Sequence, residues 1–163
     1  MKKLLILLSI LCLLPLSSCH GQRYGILSYQ EKEIYAECIL NGEYKIAITK
    51  KEDERTVAFL EPSGLSSVSF TEKDGVVTAR AGEIALPLEP DNLDGVSALL
   101  SIFSLSEDCL CYAGTSEHGE VFEFLNKNGE YRLTMNEIGL PKRIQIYSDS
   151  FSFDILVDNV NLV

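Results

Sequence analysis

The sequence predicts a mainly β protein: a curved antiparallel meander sheet or half-barrel, with one short helix covering its concave face. Three observations carry that expectation. Apolar and polar residues alternate along most of the chain, the period of half-buried strands. Turn signals recur about every 8–12 residues, a spacing that joins neighbouring strands by local hairpins. A single segment shows helical period instead. About ten strands result, more than an open sheet usually carries while flat, so the sheet should curl.

The elements follow in order. Tyr35 to Leu40 reads as a strand, and Asn41-Gly42 after it signals a type I′ hairpin turn. Tyr44, Ile46 and Ile48 alternate with Lys45, Ala47 and Thr49 in the partner strand. Lys50 to Arg55 is a solvated hairpin tip whose three acids and three bases cancel. Thr56 to Leu60 places Val57 and Phe59 on one face before Glu61-Pro62-Ser63-Gly64 breaks the strand. Val68 and Phe70 lead to a second hairpin signal, Asp74-Gly75, and Val76 to Arg80 pairs back. Gly82 turns the chain into a short strand, Glu83 to Leu88. The helix spans Asn92 to Ser104: Asp91 is placed to cap it, and Val96, Leu99, Leu100 and Phe103 form one apolar stripe. Gly95 weakens it by roughly 1 kcal/mol relative to Ala. Strands resume with Cys109 to Ala113, Glu120 to Leu125 and Tyr131 to Met135, with Asn128-Gly129 as another type I′ signal. Arg143 to Tyr147 and the alternating Phe151, Phe153, Ile155 and Val157 complete the meander.

The chain has 163 residues, 14 bases against 24 acids and a net charge of −10. That length fits one domain with a real core, and the acidic balance argues against nucleic-acid binding, which needs a basic footprint. A mean hydropathy of +0.10 is high for so acidic a chain. The cause is local. Lys2 and Lys3 precede an apolar run from Leu4 to Leu16, interrupted by Ser9 and Pro15. A membrane-crossing helix takes about 20 such residues, so this shorter run reads as the h-region of a secretory signal.

Leu16-Ser17-Ser18-Cys19 follows the run and resembles the lipobox of bacterial lipoproteins. The resemblance implies a signal peptide over residues 1–18, cleavage before Cys19 and acyl chains on its thiol. Residues 19–30 are then a lipidated N-terminus and tether, and 31–163 the β domain. Such a protein sits at the cell membrane, lipid-anchored on the extracytoplasmic face, because multiple acyl chains anchor durably. Losing residues 1–18 removes two of the 14 bases and none of the 24 acids, which brings the charge to −12.

Cys12 goes with the signal, leaving Cys38, Cys109 and Cys111, an odd number in an exported domain. Two readings stand: a bridge from Cys38 to one of the others, or three buried thiols acting as small hydrophobes. Cys109 and Cys111, two apart on one strand, pair poorly with each other. His20 and His118 are the only histidines and no Cys-x-x-Cys occurs, so neither a metal site nor a cofactor is expected. No nucleophile elbow or phosphate loop is present, Glu117-His118-Gly119-Glu120 reads as a turn, and no enzyme activity is expected.

The phrases Phe59-Leu60-Glu61-Pro62-Ser63-Gly64-Leu65, Val68-Ser69-Phe70 and Gly139-Leu140-Pro141-Lys142-Arg143-Ile144 resemble those of the LolA/LolB-like lipoprotein-carrier superfamily. That resemblance implies a half-barrel whose concave apolar face accepts acyl chains under covering helices. The chain departs from it in lacking a long helix between Cys19 and the first strand, and no binding arginine is carried over. Candidate lining residues for a lipid or other hydrophobic ligand are Tyr44, Ile46, Ile48, Phe59, Phe122, Phe124 and Met135 on strands, with Leu99, Leu100 and Phe103 on the helix. The same residues also suit a plain core. The alternative is therefore a non-enzymatic envelope scaffold or protein-interaction module without a ligand cavity.

Overall fold

The computed structural model describes residues 25–89 and 93–162. Eleven strands form one antiparallel sheet: β1 (Ile34–Leu40), β2 (Tyr44–Lys51), β3 (Glu54–Glu61), β4 (Val68–Lys73), β5 (Val76–Ala81), β6 (Ile84–Leu88), β7 (Leu110–Ser116), β8 (Gly119–Asn126), β9 (Gly129–Met135), β10 (Pro141–Tyr147) and β11 (Ser152–Leu162). Their order is β6-β5-β4-β3-β2-β1-β11-β10-β9-β8-β7. Every neighbouring pair but one is a consecutive hairpin. The exception, β1 with β11, joins the chain's two meanders at the centre of the sheet. The sheet is curved and open, so β6 and β7 remain edges. The signal peptide and Cys19 lie outside the described residues.

Turn chemistry fixes the hairpins. Asn41 and Gly42 have φ of 52° and 72°, and Asp74 and Gly75 have 51° and 76°, the double positive φ that type I′ demands. The expected Asn128-Gly129 turn is displaced by one residue. Asn126 pairs with Gly129, so Lys127 and Asn128 are the turn. Gly129 is needed for another reason: its φ is 139°, and a Cβ there would sit 2.6 Å from the Tyr147 carbonyl oxygen.

The helix, α1, is shorter than its stripe predicts: it spans Asp94–Leu100, and turns continue to Phe103. Asp91, the expected cap, lies outside the described residues, and Leu93 holds the cap position without a side-chain bond. Residues 25–30, the end of the segment read from the sequence as a tether, include the buried Leu27, Tyr29 and Gln30. A 3₁₀ turn at Ser28–Glu31 buries Tyr29, whose ring meets Phe103 edge-on at 6.1 Å.

One face of the sheet carries the core. Ile34, Ala36, Cys38 and Leu40 of β1 point inward with Ile46 and Ile48, and Ile144, Ile146 and Ile155 continue that face across β10 and β11. The opposite face carries ion pairs: Lys45–Glu37 at 2.8 Å, Arg143–Asp154 at 2.7 Å and Arg132–Glu123 at 3.6 Å. The Lys45 ammonium beside Glu37 holds its carboxyl below the usual range. All three described cysteines are free, and their environments differ. Cys38 is buried, Cys109 is half-buried and Cys111 is exposed. Three buried thiols are thus not what folds. Cys111 sits at a bulge between Leu110 and Tyr112, which puts Tyr112 opposite Glu123 on the outer face.

Candidate functional site

The period-two register determines which side chains share the inner face. Ile46 lies between Cys38 and Phe59, and Ile48 between Ala36 and Val57. On the far flank Phe124 lies between Leu110 and Tyr131, Phe122 opposite Leu133, and Met135 opposite Pro141. The helix Leu99, Leu100 and Phe103 enter the same apolar cluster. All ten residues singled out from the sequence therefore converge on the concave face.

Their exposure divides them. Ile46, Ile48, Leu99, Leu100, Phe103, Phe124 and Met135 are buried, while Tyr44, Phe59 and Phe122 are half-buried against the cluster. Tyr44 and Phe59 meet edge to face, centroids 6.0 Å apart.

Polar bonds hold α1 and its following turn down on this face. The Tyr131 hydroxyl donates to the Ala98 carbonyl at 3.2 Å, and burial pushes its pKa up to about 12. The Asn128 amide donates to Ser101 Oγ at 2.8 Å, and the Arg55 guanidinium to Ser104 Oγ at 2.7 Å. These partners lie on β3, on β9 and in the β8–β9 turn, so the helical segment bridges the two flanks. The Lys50 ammonium donates to the Gln30 carbonyl beside it.

Away from the helix the inner face opens. One row runs Val57, Phe70, Ala79, Leu86 across β3 to β6. Val57 is buried, Phe70 and Ala79 half-buried, and Leu86 is 58% exposed. A parallel row, Val68, Ala81 and Ile84, ends with Ile84 at 64% exposure. Sequence reasoning alone does not place these residues at a site. Their signal is nonetheless present in Ile84, Leu86 and Leu88, which alternate in an uncharged strand.

A cleft of about 1170 Å³ lies elsewhere, between the β7–β8 turn and the β9–β10 loop, and Met135 is the candidate residue that lines it. Glu117 and His118 on its rim are 3.2 Å apart and exposed. Among the described residues no cluster of His, Cys, Asp and Glu is arranged to hold a metal ion, and no helix is long and apolar enough to cross a membrane.

No family model matches the chain, and no curated protein matches it. Solved structures of similar architecture exist. A domain from Vibrio parahaemolyticus, provisionally described as an outer membrane lipoprotein-sorting protein, shares 10% identity over 84% of this chain and 90% of its own, with a TM-score of 0.48. An uncharacterized conserved protein from Thermus thermophilus shares 12% identity over 85% of each chain, with a TM-score of 0.46. A LolA superfamily protein from Nitrosomonas europaea shares 9% identity over 85% and 92%, with a TM-score of 0.43.

Proposed function

We propose that this chain is an extracytoplasmic lipoprotein, anchored through acyl chains on Cys19, whose curved sheet binds a lipid or other hydrophobic ligand. The observation that carries the binding reading is the apolar inner face running out from under α1 into solvent, from Val57 through Phe70 to Leu86 and Ile84. Burying an exposed Leu or Ile side chain gains about 1.5–3 kcal/mol each, so a ligand covering that face has a source of affinity. Tyr44, Phe59 and Phe122, half-buried at the rim of the same cluster, are the candidate lining residues with surface still to give. The anchor rests on the signal-like segment and Leu16-Ser17-Ser18-Cys19. The LolA/LolB-like sequence phrases support a carrier-type module.

Lipid mass spectrometry on the purified chain, with uptake of a fluorescent fatty acid, tests the binding reading. Bound lipid and saturable uptake that Leu86→Asp abolishes are expected; neither bound lipid nor uptake would refute it. Feeding a labelled fatty acid tests the anchor: label retained by a Cys19→Ala protein would sink it.

A second reading, an interaction module without a ligand cavity, draws on a specific observation. Seven of the ten candidate residues are buried as core beneath the helix. A chain that takes up no lipid yet captures a partner protein through the β4–β6 face would establish it.

A further inference from the structure

The outer face of the sheet carries a cleft of about 560 Å³, spread over β8 to β11 with the β7–β8 turn at one end. Phe122 and Leu133 point inward, so their neighbours Val121 and Thr134, paired across β8 and β9, point outward into it. Val121 is only 3% exposed and forms the floor, which Leu156 and Val157 of β11 continue. Around this apolar floor stand Arg132, Lys142 and Arg143. Three of the chain's 14 bases thus share one cleft in a molecule that carries 24 acids.

Sheet register brings the bases together. Arg143 lies opposite Thr134 and Gln145 opposite Arg132, so the two arginines are diagonal neighbours across β9 and β10. Such positions lie about 7–8 Å apart, within reach of long side chains. Lys142 joins them through a bulge. In a regular strand it would face away from Arg143, but the register shifts between Pro141 and Arg143. Pro141 and Ile144 are both buried on the inner side, and the two bases between them both line the outer cleft. Arg143 Nε and Nη2 donate to the Asp154 carboxylate at 2.7 and 2.8 Å, which fixes the guanidinium and leaves Nη1 uncommitted. Arg132 Nε is 3.6 Å from Glu123 Oε1, an ion pair too long to be a hydrogen bond. Among the described residues, the Lys142 ammonium pairs with no carboxylate. Glu117 is the carboxylate on the lining, and it lies 3.2 Å from His118 Nε2.

We propose that this cleft binds a phosphate ester, with its phosphoryl oxygens on Arg132, Lys142 and Arg143 and its organic part over Leu156 and Val157. The donors select the anion. Guanidinium forks match phosphate oxygens, and an ammonium adds a point charge. A carboxylate offers only two oxygens, whereas a phosphoryl group has enough to meet three cations at once. The cleft's size selects an ester over the bare ion, since 560 Å³ is the scale of a small-molecule site. A net charge of −10 repels anions in general, so recognition needs such a local inversion of charge. A soluble phosphate ester and a phospholipid headgroup share this chemistry. The site lies on the face opposite the apolar one, and it requires neither the hydrophobic ligand nor the anchor.

The test is calorimetric titration of the full chain in non-ionic detergent with inorganic phosphate, glycerol phosphate and dihexanoyl phosphatidylglycerol. One of the two esters should bind saturably, and about tenfold tighter than inorganic phosphate because it also covers apolar floor. The tighter ester identifies the source, soluble metabolite or lipid headgroup. Added salt should weaken binding. Lys142→Gln and Arg132→Gln should each weaken it about tenfold, the worth of one charge-assisted hydrogen bond. Lys73→Gln, which removes an exposed base from β4, should leave it unchanged. Lys142 is exposed, so its variant should keep the circular dichroism spectrum of the parent even if Arg132→Gln does not. Several results would overturn the proposal: no saturable binding of either ester, acetate or inorganic phosphate binding as tightly as the esters, or Lys142→Gln costing no more than Lys73→Gln. So would binding that Leu86→Asp abolishes and Lys142→Gln leaves intact, because that ligand would lie on the inner face.

Discussion

The two flanks of this sheet share a sequence pattern and end in opposite states. On β8 and β9, Phe124, Tyr131 and Leu133 alternate with polar residues and are fully buried. On β6, Ile84 and Leu86 alternate with Ala85 and Pro87 and stand more than half exposed. The difference is what lies above them. The Tyr131 hydroxyl is tied to the Ala98 carbonyl, and the Asn128 amide to Ser101, so the helical segment roofs β8 and β9. Nothing described reaches as far as Leu86. An alternating strand therefore specifies a face and leaves its occupant to be supplied.

That contrast is broken most severely from the roofed side. Phe124→Ala should cost about 3–5 kcal/mol of unfolding free energy, as a fully buried aromatic lost from a packed core does, read by denaturant titration. A loss below about 1 kcal/mol would mean that the core relaxes around the gap and that this flank resembles the open one.

Alkaline pH attacks the core more gradually. Burial pushes the Cys38 thiol up to about 12, and nearby Asp158 and Glu37 add to the shift. Burial likewise pushes the Tyr29 hydroxyl up to about 12. A group whose folded pKa is raised gives stability that is complete below its unfolded pKa, about 8.5 for Cys and 10 for Tyr, and lost as pH climbs toward the folded value. Stability should therefore decline from about pH 8.5 to 12, and Cys38→Ala should flatten the first part of that decline. At about pH 8 a thiol reagent should label Cys111 first and Cys38 only on unfolding; rapid labelling of Cys38 in the folded chain would contradict its burial.

Tyr131→Phe removes the hydroxyl's bond to the Ala98 carbonyl together with its polar contacts to Ser101, Asn126 and Asn128. The Ala98 carbonyl loses its side-chain donor, and about 1 kcal/mol should go with it, measured by thermal denaturation. The smallest effect belongs to the open flank. Ile84→Ser with Leu86→Ser should change stability by no more than about 0.5 kcal/mol, because these side chains gain little from the fold. A large loss there would show that the face is already covered in the free protein.

Much of the architecture was legible in the sequence. Asn41-Gly42 and Asp74-Gly75 announced their turns because two consecutive positive φ values leave few residue choices. Phe59, Phe124 and Met135 were assigned to the inner face because a strand's period of two fixes which side each residue takes. The displaced β8–β9 turn was not legible. Gly129 is required by the approach of the Tyr147 carbonyl, and β10 is remote from that turn until the sheet forms. The burial of Leu27 and Tyr29 was equally hidden, since their partner Phe103 lies more than 70 residues along the chain. The bulge at Cys111 was hidden too: a single extra residue reverses the alternation beyond it and turns Tyr112 to the outer face.

By itself, then, the sequence determined the strands, their hairpin order, the one short helix and the composition of the two sheet faces. All of these rest on local dihedral preferences and on periodicity. Only the tertiary structure decided which part of the apolar face became core and which stayed open. It also decided which thiol was sealed and which peptide groups were left on a free edge. Those outcomes depend on where a seven-residue helix and its following turn come to rest between flanks that are distant in sequence. No local rule encodes that position. It is set by Ala98, Ser101 and Ser104 finding Tyr131, Asn128 and Arg55 once the sheet has curled.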